Sequence, residues 1–194
     1  KELIAVIYLA NHLKAHGKEN IHLYMPYIPN ARQDRVKTSE DVFTLKYFAE
    51  IINSLKFKQV FVLDPHSSVS EALINNVVVV SPKDLINLTL DNIGTDNLLM
   101  FYPDEGAMKR YSSESELPYA FGMKKRDWQT GKILGLDVIN TENIVGKDVL
   151  IVDDICSRGG TFYHSAKALK AAGAKSVSLY VTHLEETVTL GEMA

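Results

Sequence analysis

Cysteine is almost missing from this 194-residue chain, and the single Cys156 cannot form an intramolecular disulfide. Because cytosolic proteins keep their thiols reduced, this scarcity favours a cytoplasmic protein. Uninterrupted apolar runs of membrane-spanning length are absent, and no signal-peptide pattern precedes the first predicted helix, so we expect no membrane association. Since the sequence begins within a predicted helix, we expect it to be part of a longer polypeptide.

An excess of charge of either sign is also missing. Lys and Arg together number 21 against 24 Asp and Glu, for a formal net charge of −3. This balance offers no argument for a nucleic-acid partner, and we expect none. The Gly-Lys-Ser/Thr ending of a P-loop is absent as well, which excludes that nucleotide motif. The 46% hydrophobic content is sufficient to form the core of one large or two small domains.

The most informative segment spans residues 147–161. An apolar, strand-like run leads to Asp153 and Asp154, and a loop with paired glycines then enters a sequence of helical periodicity. In open parallel sheets, ligands bind beyond the carboxyl ends of the strands. Amides and hydroxyls at a helix start bind phosphate, while carboxylates bind sugar hydroxyls or Mg²⁺. The segment therefore predicts a sugar-phosphate site, the alternative being an ordinary turn whose aspartates only cap the helix.

Polar residues follow three other predicted strands. His66 comes after an aspartate at the end of the strand 59–63, Asp104 follows the strand near residues 98–102, and two arginines lie in the proline-bounded segment 26–35. A lone histidine is often structural, so a structural role and a ligand role for His66 both stay open. The basic segment 124–132, between predicted strands, is interpreted as a flap or as a solvated charge cluster.

Strands that alternate with helices predict an α/β fold with parallel sheets and helices on both faces. The break at Ser81-Pro82-Lys83 predicts two domains, residues 1–82 and 83–194. Within the first domain, residues 38–41 predict a capping box ahead of a helix.

Two segments together resemble one family. Residues 152–161 resemble the phosphoribosyl pyrophosphate (PRPP) loop of type I phosphoribosyltransferase folds. Residues 26–35 are similar to the proline-tyrosine and Ala-Arg-Gln-Asp-Arg/Lys segment of ribose-phosphate pyrophosphokinases. Weaker matches follow in the family's order at residues 63–66, 103–106 and 124–126. The resemblance implies two phosphoribosyltransferase-like domains, each a mainly parallel sheet flanked by helices, the first of them lacking its first segment.

This resemblance also implies an activity. A ribose-phosphate pyrophosphokinase transfers the pyrophosphoryl group of MgATP to the anomeric hydroxyl of ribose 5-phosphate, giving PRPP and AMP. Members of the family form homo-oligomers, which we expect here too. The implied ATP-binding residues are Arg32, Gln33, Asp34 and His66. The implied ribose 5-phosphate residues are Asp153, Asp154, Ser157, Arg158, Gly159, Gly160 and Thr161. The implied Mg²⁺ ligands are His66 and Asp104, and the implied catalytic residues are Lys124 and Arg126.

Several positions depart from the family pattern. Relatives commonly have an acidic residue at the position of Ser157 and a threonine at that of Arg158, while Pro65, Glu105 and Ala107 alter two of the weaker matches. Two alternatives therefore stay open. One is a phosphoribosyltransferase that consumes PRPP, and the other is a non-catalytic, synthetase-like regulatory subunit.

Overall fold

The computed structural model describes residues 1–126, 133–140 and 143–191, with the backbone alone at 124–126 and 133–136.

The chain consists of two compact units, Lys1–Pro82 and Lys83–Ala194. The elements of unit 1 are α1 (Glu2–Ala15), β1 (His22–Tyr24), α2 (Thr44–Ser54), β2 (Gln59–Leu63), α3 (Ser68–Leu73) and β3 (Val77–Val80). Those of unit 2 are α4 (Lys83–Ile93), β4 (Leu98–Tyr102), α5 (Glu105–Tyr111), a 3₁₀ helix (Ser112–Glu114), β5 (Tyr119–Arg126), β6 (Ile133–Ile139), β7 (Asp148–Cys156), α6 (Gly160–Ala171), β8 (Ser176–Leu184) and a 3₁₀ helix (Glu186–Leu190).

In the described part of unit 1, three parallel strands pair in the order β1-β2-β3. Val60 and Val62 of the central strand are buried, and they belong to one apolar cluster with Leu45 and Ile52 of α2. The amphipathic face of α2 therefore covers the sheet, and the polar loops that follow β1 and β2 emerge together at its carboxyl edge.

Unit 2 contains, in its described residues, a sheet of order β6-β5-β4-β7-β8. Strands β5, β4, β7 and β8 run parallel, and β6 pairs antiparallel with β5. Side chains of β4 alternate between two cores: Leu99 and Phe101 pack on the side of α6, while Met100 packs on the side of α4 and α5. Because both faces are covered, the central strands are continuously apolar, as buried parallel strands usually are.

The predicted α/β class, with mainly parallel sheets flanked by helices, is confirmed. The predicted capping box is wrong. Helix α2 begins only at Thr44, and Asp41 instead accepts hydrogen bonds from the backbone N–H groups of Lys37 and Thr38 at 2.9 and 2.8 Å. Aspartate closes such turns readily because its short side chain reaches nearby amides. Among the described residues, no helix combines the length and the apolar character needed to cross a membrane.

Candidate active site

The loop between β7 and α6 lies at the carboxyl edge of the unit 2 sheet. Gly159 has a φ of +78°, the left-handed conformation that favours glycine, and it directly precedes α6. Its carbonyl accepts the backbone N–H groups of Phe162 and Tyr163, both at 2.9 Å. Gly160 and Thr161 occupy the first turn of α6, where helix amides without intrahelical partners bind anions. The loop thus has the backbone features of a phosphate-binding turn.

Two adjacent carboxylates precede this loop. Strand β7 continues to Cys156, so Asp153 and Asp154 lie inside the strand, shortly before its end, rather than in the loop that follows. The backbone N–H of Asp154 donates to the Asp153 carboxylate at 2.9 Å. Burial, followed by the neighbouring charge of Asp154 and a smaller contribution from Asp104, raises the pKa of Asp153 to about 8. The protonated form of Asp153 is consequently favoured relative to that of a free aspartate.

Arg110, which sequence reasoning did not single out, contacts the second carboxylate. It lies at the end of α5, and its Nη1 is 3.3 Å from Oδ2 of Asp154, which is only 4% exposed. The guanidinium also lies over the Tyr111 ring, 5.5 Å from its centroid. Buried carboxylates are usually paired with a cation because an unpaired charge is costly to desolvate. Arg110 therefore neutralises and orients Asp154.

Asp104, one of the predicted metal ligands, caps α5. Its Oδ1 accepts the backbone N–H of Ala107 at 3.0 Å, so the carboxylate neutralises the amino terminus of this helix. Its charge also contributes to the raised pKa of Asp153, which places both carboxylates in one acidic group at this edge of the sheet.

The other loop residues differ in their surroundings. The Ser157 hydroxyl lies 2.9 Å from that of Thr187, in the 3₁₀ helix Glu186–Leu190, whereas Arg158 is exposed. Thr187 was not expected at the site from sequence, because its residue type and spacing carry no signature.

In unit 1, the structure brings Asp34 close to the loop that carries His66. Asp34 is buried, and Arg35 donates to its two carboxylate oxygens at 2.8 and 3.1 Å. The hydrogen bonds from Arg35 lower the pKa of Asp34, and Ser67 and the charge of His66 act in the same direction. Asp34 thus links the 30–35 segment to the 64–67 loop. By contrast, Arg32 and Gln33 are exposed.

Asp64 begins the second loop of unit 1 with a φ of +45°, which is uncommon for a residue other than glycine. It is buried, and its N–H donates to the Val80 carbonyl at 3.1 Å. Strain of this kind persists where surrounding contacts hold it and is frequent at functional sites. The side chains of the predicted catalytic residues Lys124 and Arg126 lie outside the described part of the structure, although their backbone belongs to β5.

Within the described residues, no three His, Cys, Asp or Glu side chains form a group able to hold a metal ion. Mg²⁺ commonly uses one or two protein carboxylates and completes its shell with water and substrate phosphates. Asp104 and Asp154 are carboxylates of that type in unit 2. Their chemistry suits a Mg²⁺ ion that takes its remaining ligands from other sources.

The sequence of this chain is similar to one family of domains and to several known proteins. A phosphoribosyl transferase domain model matches residues 106–189, the part of unit 2 that carries Asp153, Asp154 and the β7–α6 loop. The chain is 29% identical over 188 residues to the ribose-phosphate pyrophosphokinase of Saccharolobus solfataricus. The aligned residues cover 95% of this chain and 64% of the relative. It is 30% identical to ribose-phosphate pyrophosphokinase 2 of Archaeoglobus fulgidus, over 94% of this chain and 64% of the relative.

The fold agrees as well. The crystal structure of phosphoribosylpyrophosphate synthetase from Mycobacterium smegmatis superposes with a TM-score of 0.79 and 22% identity, covering 94% of this chain and 60% of that one. The chain spans just under two thirds of the length of the curated relatives it matches. Through both of its units, this chain is similar to the ribose-phosphate pyrophosphokinases, and its residues 106–189 match the model of a phosphoribosyl transferase domain.

Proposed function

We propose that the protein is a ribose-phosphate diphosphokinase, which transfers the pyrophosphoryl group of MgATP to the anomeric hydroxyl of ribose 5-phosphate and releases AMP. The observation that supports it most is the pair of carboxylates, Asp153 and Asp154, near the end of a strand whose loop leads through a left-handed glycine into a helix amino terminus. This arrangement suits a sugar phosphate. Similarity that extends through unit 1 favours a PRPP-forming enzyme over a transferase that consumes PRPP.

In this proposal, unit 2 binds the acceptor. The amides of residues 158–161 bind the 5-phosphate, as helix amino termini bind anions. Because its pKa is raised, the Asp153 carboxyl can carry a proton and then both donate and accept hydrogen bonds, which matches the two roles of a sugar hydroxyl. Asp154, oriented by Arg110, accepts from a second ribose hydroxyl. Together these contacts hold the anomeric hydroxyl in place for attack on the β-phosphorus.

The donor is assigned to unit 1. Arg32 and Gln33 are exposed and available to bind ATP, and the buried Asp34 holds the position of the loop that carries His66. We propose His66 in unit 1 and Asp104 in unit 2 as Mg²⁺ ligands, each considered within its own unit. Bound Mg²⁺ would neutralise phosphate charge. Transfer of this kind depends on positioning and charge stabilisation rather than on covalent help from the protein.

Lys124 and Arg126 are proposed to stabilise the charge that develops on the leaving AMP. Arginine suits this task because its planar guanidinium binds two phosphate oxygens at once. We also propose that the protein forms a homo-oligomer, which light scattering of the full-length protein measures directly.

The decisive experiment incubates the full-length protein with ATP, Mg²⁺ and ribose 5-phosphate. We expect AMP and PRPP in equal amounts. Lys124→Ala and Arg126→Ala should each lower turnover about 100-fold or more, as removal of a transition-state contact does. Lys125→Ala is the matched control and should retain turnover. Absence of AMP above background at every phosphate and metal concentration would refute the proposal.

The same material separates the alternatives. Pyrophosphate release that depends on PRPP and a nucleobase would identify a phosphoribosyltransferase. ATP binding without turnover, unchanged by Lys124→Ala, would identify a non-catalytic regulatory subunit.

A further inference from the structure

The last residue of β7 and the first two residues of the β7–α6 loop contact one neighbouring segment, residues 185–191, which we call the clasp. The Cys156 carbonyl accepts the backbone N–H of Glu185 at 2.8 Å. The Ser157 hydroxyl lies 2.9 Å from the Thr187 hydroxyl. Gly191 packs against the backbone of Arg158. The first contact is a backbone hydrogen bond, the second joins two side chains, and the third is close backbone packing. Three different kinds of contact therefore connect the clasp to residues 156–158.

The two hydroxyls lie within hydrogen-bond distance, and either of them can be the donor. Thr187 Oγ1 also lies 3.5 Å from Oε2 of Glu185, within the same segment.

Gly191 is required by space rather than by backbone conformation, because its φ of −107° is accessible to any residue. A Cβ placed there would lie 2.6 Å from the carbonyl carbon of Arg158 and 2.8 Å from its Cα, with the carbonyl oxygen closer still. Since the neighbouring atoms are backbone, they cannot rotate away as a side chain would. Only glycine allows the clasp to approach Arg158 this closely.

We propose that residues 185–191 act as a clasp that holds the loop residues Cys156, Ser157 and Arg158 in the conformation that binds the 5-phosphate of the sugar substrate, with Thr187 and Gly191 as positioning residues. The proposal rests on the proposed sugar-phosphate role of this loop. Rigidifying a binding loop in its bound conformation raises affinity because less conformational entropy is lost on binding.

The test compares three variants of the full chain. Thr187→Val removes the hydroxyl at nearly constant volume, Thr187→Ser restores it, and Thr189→Val is the matched control. Thr189 lies in the same 3₁₀ helix, and its hydroxyl donates to the Glu186 carbonyl at 2.9 Å. Hydrogen exchange of the amides of residues 157–161 is measured without ligand, and the dissociation constant of ribose 5-phosphate is measured by calorimetry.

Thr187→Val should speed loop exchange about fivefold and raise the dissociation constant by a similar factor, the effect of one neutral hydrogen bond. Thr187→Ser and Thr189→Val should behave as the unsubstituted protein. Gly191→Ala should produce a larger effect of the same sign. Unchanged exchange in Thr187→Val would overturn the clasp, and tighter ribose 5-phosphate binding would overturn it too, by showing that the segment obstructs the loop. Failure of the unsubstituted protein to bind ribose 5-phosphate would instead refute the proposed function, because the exchange measurement uses no ligand.

Discussion

Replacing Asp153 by asparagine should change how stability depends on pH. In the folded protein, the pKa of Asp153 is raised from 3.8 to about 8, chiefly by burial and then by the charge of Asp154. Between these two pH values the folded state keeps a proton that the unfolded chain releases. Unfolding therefore becomes more favourable as pH rises from about 4 to about 8. Asparagine does not titrate, so Asp153→Asn should lack this decline.

The size of the effect follows from the shift. Each unit of pKa difference corresponds to about 1.4 kcal/mol, so a shift of about four units sets an upper limit near 6 kcal/mol. Asp153 titrates together with Asp154, so part of the shift belongs to the pair rather than to Asp153 alone, and we expect about half of that limit. Relative to the unsubstituted protein, Asp153→Asn should thus gain about 3 kcal/mol of unfolding free energy between pH 4 and pH 8.5.

Urea unfolding followed by circular dichroism at pH 4, 5.5, 7 and 8.5, with a chelator present, measures this difference. Asp91→Asn is the matched control, since Asp91 is an exposed carboxylate on α4. Its stability should run parallel to that of the unsubstituted protein over the whole pH range. If Asp153→Asn also runs parallel to the unsubstituted protein, the raised pKa of Asp153 is refuted, and with it the proton-bearing role in acceptor binding.

Two further predictions concern the ion pairs. Arg110→Ala should destabilise the protein by about 1–3 kcal/mol, because it removes the ion pair with the buried Asp154 carboxylate. Lys109→Ala breaks an exposed ion pair on the same helix and should change the stability by no more than about 0.5 kcal/mol. Equal urea midpoints for the two variants would contradict this. Asp34→Asn should be less stable than the unsubstituted protein at pH 7, and this deficit should shrink as pH falls below 4. Arg35 lowers the pKa of Asp34, so the stabilisation is present above the unfolded pKa and is lost on protonation. A deficit that stays constant down to pH 2 in acid titrations would show that Asp34 contributes through packing alone.

Much of the fold was predictable because its signals are local. Helical periodicity, apolar strands and the break before Lys83 are patterns of neighbouring residues, and they indicated an α/β chain without any knowledge of contacts. The capping box at residues 38–41 failed for the same reason. A short aspartate side chain can close a turn on the preceding amides as readily as it can begin a helix, and the spacing of residues does not distinguish these outcomes.

Some features of the candidate site could likewise be predicted from the sequence, and others could not. The order of carboxylates, hydroxyls and glycines in residues 153–161 predicted a sugar-phosphate ligand, because loop chemistry depends on residues adjacent in sequence. Only the tertiary structure decided which partners control those groups. Arg110 orients Asp154, Asp34 turns inward to Arg35 and the His66 loop, and Thr187 holds Ser157 from 30 residues away. Charge pairing and steric fit depend on distance in space, and folding alone brings these residues together.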